Sequence, residues 1–524
     1  MIWKILPKKT EDLVEQLLIN RGIISKEKFF HPQISDFEKD LKIKGIEKAQ
    51  KRILEAKDSG ELIIVYGDFD VDGICGSAIL YKALTSVGVK VLPYIPHREK
   101  EGYGLSELGL KHARDLGATV VITVDCGITA INQVDFAKSI GLDLIITDHH
   151  LPLDEKPDAY CIVHSTKMCG SAVAWCLIRG LVKAEVAQNL LQFVAMATVC
   201  DLIPLVDLGR AFLYEGLKVL NKTQNLGLLS LINESALKLG TISSYEIGHI
   251  LGPRLNAMGR LEHAIDSLRL LCTKDLSKAK RLAKLLSDTN IERQKMTFDA
   301  IEQAKLQVNK NKKIQVLIHK EWSGGIIGLI AGRICEQYFR PTIAISIGEE
   351  VSRGSARSIN GINIVEVVRS CENLLVSVGG HPRACGFSIL TKNIDIFKKR
   401  LEEIVITLPD GMEQVLEIEA EVESKKLTKN LLDEIERFEP FGFGNPRPIF
   451  ATYGVQVSDI RTVGQGKHLK FKAGIQSIDC IAFGMGELQS MLQNGQQIDI
   501  AYTIDIDDYN DFEKLQLKIK DLKV

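Results

Sequence analysis

The chain has 524 residues, 45% of them hydrophobic and 25% charged, with a formal net charge of −1; this composition is globular, and the length calls for about three domains rather than one core. Near-neutrality excludes a globally basic field of the kind that advertises nucleic acid, though a local cleft can still be basic. Eleven cysteines without a C-x-x-C pair suit buried thiols of a reducing compartment rather than disulfides or structural zinc, and without a leader-like N-terminus or an apolar run of about 18 residues the expectation is a soluble, cytoplasmic protein.

Residues 1–45 mix short amphipathic pieces and read as an N-terminal extension leading into the helix-like GIEKAQKRILEAKDSG. From Glu61 the rhythm becomes strand, turn, helix. Apolar β-branched runs at 62–66, 89–95, 119–124 and 142–147 alternate with helical patterns near 73–87, 105–116 and 129–140, the signature of a parallel sheet with crossover helices. Between about Asp275 and Lys313 an uninterrupted helical pattern carries ten Lys or Arg against five Asp or Glu. It is either a solvated linker between two lobes or also one wall of a basic groove for a phosphate backbone. A second α/β unit follows, with strands at 314–319 and 341–346 and two polar, Gly-rich segments at 353–363 and 377–389. A turn-rich connector at 435–450 leads to short alternating strands that suggest an OB-type barrel.

The first strand run ends in GDFDVDG, with Asp68, Asp70 and Asp72 at every second position. On a strand such residues share a face, and gathering like charges there is costly unless divalent cations neutralise them. The third run ends at Asp125, the fourth at Asp148, His149 and His150, and a helical stretch ends before Asp201. Open α/β sheets place ligands at such strand ends. Carboxylates with one or two imidazoles suit Mn²⁺ or Mg²⁺, and two such ions about 4 Å apart clamp a phosphoryl group. Asp70 and Asp72 are the first choices as ligands, with Asp125 bridging and His149 and Asp201 completing the second ion. Asp68 either orients a ligand or binds directly. Asp148 is a ligand or accepts an imidazole N–H, and His150 is structural, meets the phosphate or protonates the leaving oxygen.

The segments VYGDFDVDGICGSA (65–78), PHREKEGYGL (96–105), VDCGIT (124–129), TDHH (147–150), ATVCDLIPL (197–205), GPRLNAMGRL (252–261), GSARS (354–358) and GGHPRACGFS (379–388) together resemble the DHH phosphoesterases, and within them the bacterial single-strand-specific exonucleases. The resemblance implies an α/β protein: a parallel-sheet DHH domain (46–274), a long connecting helix (275–313), a second α/β DHH-associated domain (314–410) and a C-terminal all-β OB-like barrel with its connector (411–524). It implies 5′ to 3′ cleavage of single-stranded DNA with two Mn²⁺ or Mg²⁺ ions, releasing 5′-mononucleotides in DNA repair and recombination. It also suggests a single-strand-binding protein and a RecQ-type helicase as partners, and no membrane. Carried over, the metal ligands fall on Asp70, Asp72, Asp125, His149 and Asp201, and a terminal 5′-phosphate pocket on Arg98, Arg260, Ser355 and Arg357, with Gly380 and His381 nearby. A planar guanidinium in a Gly-flanked loop independently suits bidentate phosphate recognition.

Two rivals are a relative acting on very short oligonucleotides, cyclic dinucleotides or pyrophosphate, and a catalytically dead scaffold. The barrel and basic helix speak against the first, and the full set of acidic residues against the second.

Overall fold

The four β-branched runs form parallel strands, joined by Cys161–His164 at one edge. The computed structural model describes residues 1–405, 413–507 and 514–524, which divide into two units. One comprises Lys39–Asp201 and Gly216–Glu413, the other Met1–Glu38, Leu202–Glu215 and Gln414–Val524.

In the first unit the sheet runs Lys90–Tyr94, Leu62–Gly67, Ala118–Val124, Asp143–Asp148, Cys161–His164, every pair parallel. The second strand in sequence lies to one side of the first and all later strands to the other. Strand order therefore reverses between Leu62–Gly67 and Ala118–Val124, and this switch point opens a crevice at the carboxyl ends. Ile64, Tyr66, Val121, Leu144 and Ile146 bury one face against helices Glu107–Asp115 and Ile131–Ser139. Helices Val71–Ser86 and Gly170–Ile178 pack on one another and on the same sheet, and Ala184–Cys200 packs on both helices.

The three early aspartates do not share a strand face. The strand ends at Gly67, Asp70 caps the next helix by accepting from the Asp72 and Gly73 amides at 2.9 and 3.1 Å, and Asp72 lies in that helix's first turn. The period-two expectation fails because the turn comes four residues earlier than the last aspartate. Gly73 permits it: a Cβ there would meet the Asp68 backbone at 2.5 Å.

Beyond a group of short helices, Leu276–Gln307 runs 32 residues, about 48 Å at 1.5 Å per residue. It leads to a five-stranded mixed sheet ordered Leu375–His381, Ala384–Leu390, Val351–Arg357, Thr342–Ser346, Gln315–His319. The two polar, Gly-rich segments contribute to three of those strands. Their alternate small and apolar residues, Ala356, Phe387 and Ile389, bury one face, and a Cβ on Gly354 would strike the Phe387 ring at 2.0 Å.

In the second unit, strands Phe450–Val463, His468–Ala473, Ile478–Ala482, Lys514–Lys523 and Gln497–Asp507 pair in that order, and Phe450–Val463 also pairs with Gln497–Asp507. That extra pairing closes an OB-like barrel around Phe450, Phe471, Ile500, Tyr502 and Leu517. The expected extension contributes a strand: Ile2–Ile5 pairs in parallel with Val415–Ile418. Phe29 and Phe30 meet Phe438 edge-on at 5.6 and 5.3 Å between centroids. Phe438 is fully buried, so Phe438→Ala is expected to destabilise this unit by about 3–5 kcal/mol in urea denaturation, whereas a loss under about 1 kcal/mol would mean the aromatic cluster collapses around the vacancy.

Candidate metal centre and arginine pocket

Three strand ends and one helix end supply the acidic site. Asp68 follows Leu62–Gly67, Asp125 follows Ala118–Val124, His149 and His150 follow Asp143–Asp148, and Asp201 caps Ala184–Cys200. Donor atoms fall into three groups, each within 4.8 Å: Asp68, Asp70 and Asp125; Asp125, His149 and His150; Asp72, His149 and Asp201. Asp125 and His149 each belong to two groups and so link the set. His149 Nε2 lies 3.1 Å from Asp125 Oδ1, 3.4 Å from Asp201 Oδ2 and 3.8 Å from Asp72 Oδ2.

Local backbone holds these groups in place. Asp125 has a left-handed φ of 60°, uncommon for a residue with a Cβ and concentrated at functional sites. Its amide donates to the Thr147 carbonyl oxygen at 3.0 Å, and a Cβ on Gly170 would meet the Asp125 Cβ at 2.7 Å. Asp72 accepts from the Gly170 and Ser171 amides, both at 2.6 Å. The positive end of helix Gly170–Ile178 thereby stabilises one of the buried charges, while each oxygen keeps a lone pair. Asp148 accepts from the His149 amide and from His150 Nδ1 at 2.7 and 2.8 Å through Oδ1, and from the Ile128 amide at 2.9 Å through Oδ2. It holds His150 rather than facing the other carboxylates.

Burial and like charge dominate the electrostatics of the cluster. Burial, with the charges of the neighbouring aspartates, pushes Asp68 and Asp125 well above the usual carboxylate range, raises Asp70, and takes Asp201 up to about 9. Burial drives His149 down, toward the neutral imidazole that ligates metals. Burial also opposes charge on His150, but Asp148, Asp72 and Asp70 outweigh it and raise the imidazole. Asp68 Oδ1, Asp125 Oδ1 and His149 Nε2 are buried without a hydrogen-bond partner among the described residues. Hard oxygen donors with one neutral imidazole, crowded and unsatisfied, fit Mn²⁺ or Mg²⁺.

A cationic cluster lies beside this acidic one. Arg98 sits in the 95–105 turn, fastened by Glu101, which accepts from the His97 amide at 2.8 Å, Tyr94 Oη at 2.9 Å and Ser106 Oγ at 2.6 Å. Its guanidinium lies 4.9 Å above the Phe69 ring. Arg260 and Arg357 are not in loops. Arg260 is in helix Gly252–Leu261 and donates to the Gly325 carbonyl oxygen at 3.0 Å; Arg357 ends strand Val351–Arg357 and donates to Ser355 Oγ at 3.1 Å. Glycine content suggested loops, but in GPRLNAMGRL the glycines serve close packing: a Cβ on Gly259 would meet the Phe69 carbonyl oxygen at 2.5 Å.

Burial, then repulsion from Arg98, Arg293 and Arg357, brings Arg260 down to about 10. Guanidiniums crowded without an ion-pair partner among the described residues mark an anion site. Gly380 and His381 lie on an exposed strand of the same sheet, with His381 in register with Ala384, itself opposite Arg357. That spacing sets His381 about 10 Å from Arg357 along the ladder.

Sequence reasoning did not single out Arg293, Arg353, Phe69 or Tyr103. Arg293 was hidden in the helix's charge run. Arg353, which donates to the Glu99 carbonyl oxygen at 3.0 Å, was adjacent to GSARS. Phe69 and Tyr103 lay inside quoted motifs, their aromatic character unused.

Residues 62–198 match the family described as "DHH family, N-terminal domain" and residues 311–407 the "DHHA1 domain". With the acidic centre, this defines a metal-dependent hydrolase of the DHH class. Residues 418–521 match the "RecJ OB domain". The single-stranded-DNA-specific exonuclease RecJ of Bacillus subtilis (strain 168) is 35% identical over 98% of this chain and 68% of its own length, and that of Thermus thermophilus 33% identical over 86% and 67%. The crystal structure of Thermus thermophilus RecJ with Mn²⁺ superposes with a TM-score of 0.88 at 27% identity, covering 100% of this chain and 79% of that one. An exonuclease RecJ bound to manganese gives 0.64 at 32% identity, covering 70% and 96%. The chain belongs to the RecJ family.

Folding raises the four carboxyl pKa values, so the metal-free fold holds protons that the unfolded chain has lost. Its stability therefore falls as pH rises from about 4 toward the Asp201 value of about 9. Bound cations displace those protons. Mn²⁺ at 100 times Kd should stabilise by roughly 2.7 kcal/mol, and a fixed Mn²⁺ concentration should raise Tm more at pH 8.5 than at pH 6 in thermal unfolding. A gain independent of pH would argue against this cluster as the binding site.

Proposed function

We propose that the protein is a single-strand-specific 5′ to 3′ DNA exonuclease that hydrolyses phosphodiesters at a two-metal centre and serves DNA repair and recombination. The observation that carries this reading is the placement of two opposite charge clusters around one residue. Asp68 and Asp70 flank Phe69 in sequence, and the Phe69 ring bears Arg98. Arginines hold a terminal phosphate, while carboxylates can meet a second phosphate only through cations. A site of that kind measures from a strand end.

In this reading Arg98, Arg260 and Arg357 hold the terminal 5′-phosphate with Ser355, and Gly380 and His381 extend the pocket. Asp70, Asp72, Asp125, His149 and Asp201 hold two Mn²⁺ or Mg²⁺ ions, with Asp125 bridging and Asp68 binding or orienting. When bound, the ions neutralise charge on the phosphoryl oxygens and acidify the attacking water. Water adds to phosphorus, the bond to the terminal nucleotide's 3′ oxygen breaks, and that oxygen takes a proton from His150, held by Asp148, or from water. A 5′-mononucleotide departs, and the shortened strand keeps a new 5′-phosphate for the next cycle. The basic helix and the barrel track the strand without reading sequence. A single-strand-binding protein and a RecQ-type helicase are partners consistent with this role.

Digestion of 5′-labelled and 3′-labelled single strands with Mn²⁺, beside a duplex control, should release the 5′ label first and spare the duplex; early release of the 3′ label would overturn the polarity. Asp125→Ala should reduce cleavage about 10³-fold or more while single-strand binding persists, and full activity in that variant would contradict the assignment. Arg357→Ala should weaken binding of 5′-phosphorylated ends by about 10- to 100-fold, the value of a charge-assisted hydrogen bond.

A further inference from the structure

Phe69 and Tyr103 physically join the two clusters. The Phe69 ring supports the Arg98 guanidinium, and its carbonyl oxygen abuts Gly259, the residue before Arg260. Its chain neighbours are Asp68 and Asp70, so its backbone cannot shift without moving both carboxylates. Tyr103 meets the Phe69 ring edge-on, with centroids 6.4 Å apart and planes at 81°. The Tyr103 hydroxyl donates to the Asp125 carbonyl oxygen at 3.0 Å and lies 3.2 Å from His150 Nε2. Tyr103 stands in the turn that carries Arg98, between Gly102 and Gly104 at φ of 84° and 79°, so one turn delivers both an arginine to the anion pocket and a hydroxyl to the metal centre.

We propose that Phe69 and Tyr103 are a positioning pair that couples capture of a terminal 5′-phosphate by Arg98 and Arg260 to the placement of Asp68, Asp70, Asp125 and His150, so that an end lacking the phosphate binds but is cleaved slowly. The proposal rests on the end-recognition reading above. An incoming phosphate draws the Arg98 guanidinium, the cation–π contact transmits that displacement to Phe69, and the edge contact carries it to Tyr103. The pair acts through the residues it contacts, Arg98 on one side and Asp125 and His150 on the other.

The test compares wild type, Phe69→Leu and Tyr103→Phe as full chains on matched single strands with 5′-phosphate or 5′-hydroxyl ends. Single-turnover rates with Mn²⁺ give a rate ratio for the two ends, and binding in EDTA gives an affinity ratio that needs neither metal nor chemistry. Wild type should cleave phosphorylated ends faster. Both variants should narrow the rate ratio by about tenfold, the scale of one lost hydrogen bond or cation–π contact, while the metal-free affinity ratio stays within about twofold of wild type. Tyr103→Phe keeps the ring and removes only the hydroxyl, so it decides the question should Phe69→Leu fold poorly. Rates that fall in equal proportion on both ends, an unchanged rate ratio, or an affinity ratio that collapses with the rate ratio would each overturn the coupling. A wild type indifferent to the 5′-phosphate would overturn the end-recognition reading, and the coupling with it.

Discussion

The first unit is organised around repulsion among buried carboxylates. Asp68, Asp72 and Asp125 are almost wholly buried, at the point where the parallel sheet reverses its strand order. Burial and mutual charge hold most of the cluster's carboxyl groups above their ordinary pKa range, so the fold stores an electrostatic cost that protons or cations relieve. Neighbouring features follow from that constraint. Helix Gly170–Ile178 begins where its free amides meet Asp72, Gly170 is small because Asp125 presses on it, and Asp148 fixes an imidazole beside the cluster.

The arginines relieve that repulsion only in part: Arg98 draws the Asp68 carboxyl down, but burial and Asp70 outweigh it. Arg98 lies over an aromatic ring rather than on the Asp68 carboxylate, and Arg260 spends a donor on the Gly325 carbonyl oxygen. Phe69 stands where the two clusters meet: it lies between Asp68 and Asp70 in the chain, and its ring carries Arg98.

The parallel sheet was legible because strands buried on both faces read as continuous β-branched runs, and the long helix because neither Gly nor Pro interrupts 276–307. Asp68, Asp125, Asp148, His149 and His150 were legible because each ends or follows such a run, and Asp201 because it ends a helical stretch. How Asp68, Asp70 and Asp72 converge was not, since it depends on where the strand stops and on Asp70 turning into an N-cap, which spacing alone does not reveal. Arg260 and Arg357 were placed in loops on the strength of neighbouring glycines, which instead allow close packing and a strand against Phe387. The pairing of Ile2–Ile5 with Val415–Ile418 joins segments from opposite ends of the chain, and no local pattern encodes it. The roles of Phe69 and Tyr103 exist only in three dimensions.

Anomalous diffraction from crystals grown with Mn²⁺ tests the central claim most directly. Two peaks about 4 Å apart are predicted, one among Asp68, Asp70 and Asp125 and one beside His149 and Asp201, with the arginine pocket free of metal. A single peak away from Asp125, or none, would contradict a cation pair as the answer to the buried charge.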